Sequence, residues 1–185
     1  MTSPNFFWVI FGMLTALAMH LAYALFVPAS QLNEGVSALL ESHGPNRLVI
    51  AEPGNAAAAF AAHEAELAYA VCAFDLSSGP LEIKARVPDQ YWSIEVYGER
   101  GNSLYTLNDT QAPRRQLSVV LYDDNPDPQA IVEAANSSNR GLNTITVLTG
   151  TTTGIAVLRS AGAGKLERQR ALDAFADSSC GPAAG

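Results

Sequence analysis

The stretch Leu81-Glu82-Ile83-Lys84-Ala85-Arg86-Val87-Pro88-Asp89-Gln90-Tyr91-Trp92-Ser93-Ile94-Glu95-Val96-Tyr97 decides the fold class. From Leu81 to Val87 apolar residues alternate with Glu82, Lys84 and Arg86, the pattern of a strand with one face buried and the other wet. Pro88-Asp89 then interrupts. A second strand follows, with Trp92, Ile94 and Val96 on one face and Ser93, Glu95 and Tyr97 on the other. Gly98 to Asn102 supplies turn formers, and Leu104 to Leu107 suits a third strand, so the three segments predict an antiparallel meander.

Working outward, Leu117, Val119 and Leu121 keep the same period. Two prolines and four polar turn formers between Asp123 and Pro128 end it, since a central ladder tolerates no proline. Residues 129–135 suit a helical turn or two. Ile145 and Val147 alternate again, and with Ile155 to Leu158 they predict a hairpin. About seven strands between Leu67 and Arg159, joined by short links, give a mainly β, α+β fold. Its expected form is an antiparallel β-sandwich or partial barrel with short flanking helices, because parallel pairs need longer crossovers.

Upstream, Phe6 to Val27 holds no Asp, Glu, Lys or Arg and stops at Pro28. At helical rise it covers roughly 30 Å, the thickness of a bilayer hydrocarbon core. Phe7, Trp8 and Tyr23 sit where interfacial aromatics belong. His20 is the one ionisable side chain within the run, near enough to its end to lean toward the interface. A cleaved signal peptide is the rival reading, because Ala22-Tyr23-Ala24 fits a cleavage site. The n-region carries no Lys or Arg, which favours a retained single-pass anchor. Either reading leaves the domain periplasmic or otherwise extracytoplasmic if the N-terminus stays inside.

The first acidic residue is Glu34 and the first basic one Arg47, so the net charge of −7 belongs wholly to the downstream part. Eleven Lys and Arg without a run leave no footprint for a nucleic acid backbone and no basic patch for anionic lipid. After Pro28, Leu32, Val36, Leu39 and Leu40 recur at helical spacing behind Ser30 as N-cap, predicting a short amphipathic helix. Arg47 to Ala51 suits a strand, and Asn55 can cap an alanine-rich helix from Ala56 to Ala62 toward Glu66. Lys165 to Phe175 predicts a charged terminal helix. The expected divisions are an anchor at 1–28, a helical linker region at 29–64, a β-rich domain at 65–176 and a flexible tail at 177–185.

Cys72 lies in an apolar run and Cys180 in the small-residue tail. They are compatible with one disulfide in an oxidising compartment, or with two unrelated thiols. His63-Glu64 followed by Glu66 lacks the second His of a zinc-binding helix, and Asp123, Asp124 and Asp127 lack the glycine and closing Glu of a calcium loop. No phosphate loop or nucleophile elbow is present, so neither cofactor, metal nor catalytic residue is assigned. Asp75, Asp89, Glu95 and Asp109 are the carboxylates that a cleft can pair. Among the aromatics, Trp92 is expected in the core. Tyr91, Tyr97 and Tyr105 are the candidates for a ligand or partner surface, because a phenol offers apolar area with a polar tip.

Ala73-Phe74-Asp75-Leu76-Ser77-Ser78-Gly79-Pro80-Leu81, followed by Val87-Pro88-Asp89-Gln90-Tyr91-Trp92-Ser93-Ile94-Glu95-Val96-Tyr97, resembles the domain of unknown function 1254 family. The likeness runs over roughly residues 65 to 162 and includes Gly141 to Gly150 and Ile155 to Ser160. The family's N-x-D-T-L-Y approach is replaced here by Ala65-Glu66-Leu67-Ala68-Tyr69, so no role of that Asn or Asp carries over. Longer members are fused to a second domain, the domain of unknown function 1214. The resemblance therefore implies a β-rich domain with a companion protein that carries the second domain, and no activity. Two functions follow as expectations. One is a membrane-anchored, non-catalytic β module binding a companion envelope protein. The other is a ligand-handling or enzymatic subunit whose site a partner completes.

Overall fold

A computed structural model describes residues 4–61, 66–112, 116–123 and 143–183. In chain order the elements are α1 (Pro4–His43), β1 (Arg47–Ile50), α2 (Ala58–Ala61), β2 (Leu67–Asp75), β3 (Leu81–Arg86), β4 (Trp92–Gly98) and β5 (Ser103–Asn108). Then come β6 (Gln116–Tyr122), β7 (Asn143–Leu148), β8 (Thr153–Ala161), α3 (Lys165–Ala176) and β9 (Ser179–Pro182). One sheet has the order β1-β2-β8-β4-β5, the other β7-β6-β3-β9. The two face each other as an open α+β sandwich.

The alternating residues do what their period demands. Leu81, Ile83 and Ala85 of β3 and Trp92, Ile94 and Val96 of β4 are all buried in one core. Phe74, Leu117, Val119, Leu121 and Leu158 join them, each fully buried large side chain stabilising the fold by roughly 1.5–3 kcal/mol before entropy is counted. Yet β3 and β4 are not hairpin partners. β3 pairs with β6 and β9, whereas β4 pairs with β8 and β5. The expected meander is thus corrected: the Pro88 link crosses from one sheet to the other. Two strands that bury one face in the same core show the same alternation whether they lie side by side or face to face. Only β4 and β5 form the expected hairpin.

Two further expectations change. β7 and β8 lie in different sheets, so they are no hairpin, and β7 pairs with β6 in parallel, from Leu117↔Asn143 to Tyr122↔Leu148. The long connection between them permits this. Residues 129–135 and His63 lie outside the described residues, as do Asp124 and Asp127.

At the N-terminus α1 is one helix of 40 residues that runs through Pro28, not an anchor followed by a separate helix capped by Ser30. An interior proline forfeits one backbone hydrogen bond. Here tertiary packing on its C-terminal side outweighs that loss. Leu39 is buried with Val49, Val71, Ala73, Ile155 and Val157 in a second core on the outer face of the five-stranded sheet, and Leu32, Val36 and Phe60 pack beside them. The segment expected to be a linker therefore belongs to the domain, with β1 paired to β2 from Arg47↔Ala73 to Ile50↔Ala70. The Asn55 side chain accepts the Ala58 N–H at 3.0 Å and donates to the Ile50 carbonyl at 2.8 Å. The described helix it caps is short, Ala58–Ala61.

The expected flexible tail is also corrected. Ser179–Pro182 forms β9 along β3, and a disulfide joins Cys180 to Cys72 of β2, tying one sheet to the other across 108 residues of chain. Close packing fixes the sheet centre as well. A Cβ at Gly154 would lie 2.2 Å from the Tyr97 carbonyl oxygen and 2.4 Å from Phe74 Cζ, so only glycine fits there.

Candidate functional site

β4 presents two faces, and its outer one carries the chemistry. Ser93, Glu95 and Tyr97 alternate with the core residues, opposite Arg159, Val157 and Ile155 of β8. The Glu95 carboxylate accepts from the Arg159 guanidinium with one oxygen and from the Tyr97 hydroxyl with the other. Both Glu95 and Arg159 are mostly shielded, so this is a largely desolvated ion pair clamping adjacent strands. Burial pushes the Tyr97 phenol above its ordinary pKa, with the neighbouring Tyr69 phenol as the lesser cause. On the same face, two buried polar atoms of the opposed pair Ser93 and Arg159, Ser93 Oγ and Arg159 Nε, have no hydrogen-bond partner among the described residues.

A serine nucleophile needs a base within hydrogen-bond reach, and among the described residues Ser93 Oγ has no hydrogen-bond partner. Glu95 already spends both oxygens on Arg159 and Tyr97. Among the described residues no group of three or more His, Cys, Asp or Glu is placed to hold a metal.

The three tyrosines do not share a surface. Tyr91 precedes β4 and is exposed, its carbonyl accepting from the Ala161 N–H at 2.9 Å and the Ser160 hydroxyl at 3.0 Å. Tyr97 lies on the outer face of the sheet. Tyr105, paired with Val96, packs against the inner core, and burial raises its phenol as well. Directly opposed residues of an antiparallel pair share a face, so Tyr97 and Tyr105 point to opposite sides. Trp92 is 3% exposed and belongs to the core, as expected.

The four carboxylates have separate settings. The Ser77 backbone N–H, at 2.8 Å, and then its hydroxyl hold the Asp75 carboxyl below its ordinary range. Glu95 is in the clamp. Asp109 follows β5, with its N–H on the Trp92 carbonyl at 3.2 Å. Asp89 lines a cleft of about 270 Å³ between the end of β3 and α3, together with Arg86, Arg170, Asp173 and Asp177. Arg86 pairs with Asp177 at 2.6 Å there, half exposed on both sides. An exposed pair of this kind contributes only about 0–1 kcal/mol.

Sequence reasoning passed over Gln90. Its side-chain amide donates to the carbonyls of Ala161 at 2.5 Å and Glu167 at 2.8 Å, joining the entry of β4 to β8 and α3. It also passed over a second cleft, of about 390 Å³, between α1 and the ends of β4 and β8. Leu32, Val36, Leu40, Gly98 and Gly154 are among its walls. Neither has a local signature, because both depend on which elements meet.

No family model matches this sequence, and no curated protein does. Among solved structures, the VPA0106 protein of Vibrio parahaemolyticus is similar in fold, with a TM-score of 0.57 at 8% identity. The match covers 87% of this chain and 37% of that one. An uncharacterised protein from Burkholderia cenocepacia matches with a TM-score of 0.42 at 15% identity, over 75% of this chain and 37% of its own. The chain thus spans little more than a third of the length of either relative.

Proposed function

We propose that the protein is a single-pass membrane protein whose β domain lies outside the cytoplasm and binds a companion envelope protein without catalysing a reaction. The observation that carries this reading is the continuity of α1. Phe6–Ala24 is apolar, with a mean hydropathy of 1.7, and unburied, so its length and composition suit a bilayer crossing. The same helix ends in the second core through Leu39. An anchor joined this way holds the domain at a fixed position above the lipid.

The Cys72–Cys180 disulfide supports an oxidising, extracytoplasmic compartment, since such bonds are rare where thiols are kept reduced. The fold's share of the Vibrio parahaemolyticus protein, 37% of a longer chain, supports its working beside further polypeptide. The likeness of residues 73–97 to the domain of unknown function 1254 family points the same way. The charged cleft beside Asp89 favours a second reading, a ligand-handling or enzymatic subunit completed by the partner.

Purification of the tagged chain from its native membrane in mild detergent tests the proposal. One companion should co-migrate at fixed stoichiometry on size exclusion and recombine with the chain from separately purified components. A monomer that recovers no such companion would overturn it. Turnover or a bound small molecule appearing only in the recombined complex would favour the second reading.

A further inference from the structure

The order of contacts along α1 fixes which side of the domain faces the anchor. Leu32 meets the β4–β5 turn, where a Cβ at Gly101 would lie 3.0 Å from Leu32 Cδ2. Val36 and Leu40 follow along the ends of β4, β8 and β2, beside Gly98, Gly154 and Phe74. At the far end the Asn46 N–H donates to the Ala73 carbonyl at 2.8 Å, where β1 begins. From Leu32 to His43 the helix rises about 16 Å, and the three gaps from β4 to β1 measure about 14 Å. The helix therefore runs across the strands, from the β4–β5 turn toward β1. Traced back from Leu32, it leaves the sheet on the β5 side.

We infer that the free edge of β5 is the domain's lipid-facing surface, held against the phosphate and glycerol layer of the bilayer. This rests on α1 being a retained anchor. Leu32 stands eight residues beyond Ala24, the last residue of the span, or about 12 Å along the axis. A head-group layer takes up about 5–8 Å of that. β5 lies nearer the span than Leu32's contact does, which brings its edge to the lipid surface.

The strand itself fits such a neighbour. Ser103, Leu104, Tyr105, Thr106, Leu107 and Asn108 include no charge and no proline, and among the described residues β5 pairs with β4 alone. Soluble proteins commonly guard an open edge with lysine or proline. Here the exposed hydroxyls of Ser103 and Thr106, which lie 3.4 Å from one another, can donate to lipid phosphate and ester oxygens. No basic patch is needed for that, in keeping with the acidic chain.

The full chain in phosphatidylcholine–phosphatidylethanolamine vesicles tests the inference. An environment-sensitive fluorophore is placed at Ser103→Cys or Arg100→Cys, and at Arg47→Cys on the opposite edge, with quencher carried on lipid head groups. Quenching should be several-fold stronger at Ser103 and Arg100 than at Arg47. Equal quenching at all three in vesicles that float with the protein would overturn the edge assignment and leave the anchor standing. Failure to float would overturn the anchor and this inference together.

Discussion

Asn46 takes both backbone hydrogen bonds of Asp75. Its Oδ1 accepts the Asp75 N–H at 2.8 Å and its Nδ2 donates to the Asp75 carbonyl at 2.8 Å, while its own backbone sits in the left-handed region at φ 61°. The residue that turns the chain from α1 into β1 thus also closes the end of β2. Asparagine suits both tasks, because it tolerates the left-handed region and presents a donor and an acceptor side by side.

Replacing it separates the two contributions. Asn46→Ala loses both hydrogen bonds and places an alanine at positive φ, so a loss of about 2–3 kcal/mol is expected. Asn46→Gly keeps the backbone at ease and should lose about 1–2 kcal/mol. Urea midpoints of the full chain in detergent measure both. Equal losses would mean that the backbone conformation contributes nothing.

The disulfide gives a second prediction. It spans 108 residues and joins the two sheets, and loops of that length correspond to about 4–5 kcal/mol in the chain-entropy view. Cys180→Ala leaves Cys72 as a small apolar side chain in a fully buried site. The expected loss is about 2–5 kcal/mol, with faster amide exchange in β9. Wild-type protein in reductant should match the variant. Unchanged melting in both would show that the bond is absent from the native protein or adds nothing to it.

How much of this was legible beforehand depended on the range of each interaction. Which residues of β3 and β4 turn inward followed from a period of two, and Trp92 fell where that period put it. Which sheet each strand joined did not, since the Leu81 and Trp92 faces enter one core from opposite sides. Pro28 misled for a related reason. It is a local stop signal, and the contacts of Leu32, Val36 and Leu39 that carry the helix past it are not local.

The site was less legible than the fold. Tyr91 and Tyr97 share a parity along the chain, but Tyr105's side of the sheet depends on pairing with Val96, next to a register shift at Val96/Tyr97. Glu95 and Arg159 are 64 residues apart and meet only because Ser93 pairs with Arg159. A wet-face glutamate and a wet-face arginine were visible separately. Their partnership needed the β4–β8 register.

That partnership supports a prediction about alkaline pH. The Tyr97 phenol caps Glu95 and is raised above its ordinary value, 10.0, by burial first and Tyr69 second. A raised folded-state pKa adds stability that is complete below the unfolded value and is lost as pH climbs through the folded one, because the unfolded chain sheds the proton first. Wild-type stability should therefore fall above pH 10, in part through this residue. Tyr97→Phe should cost about 0.5–1.5 kcal/mol at neutral pH, the usual net worth of one hydrogen bond, since Arg159 still holds the carboxylate. Above pH 10 the variant should lose stability less steeply, so the two urea-midpoint curves converge. Curves that stay parallel would mean that Tyr97 ionises at the same pH folded and unfolded, and that its hydroxyl is not shielded at the β4–β8 clamp.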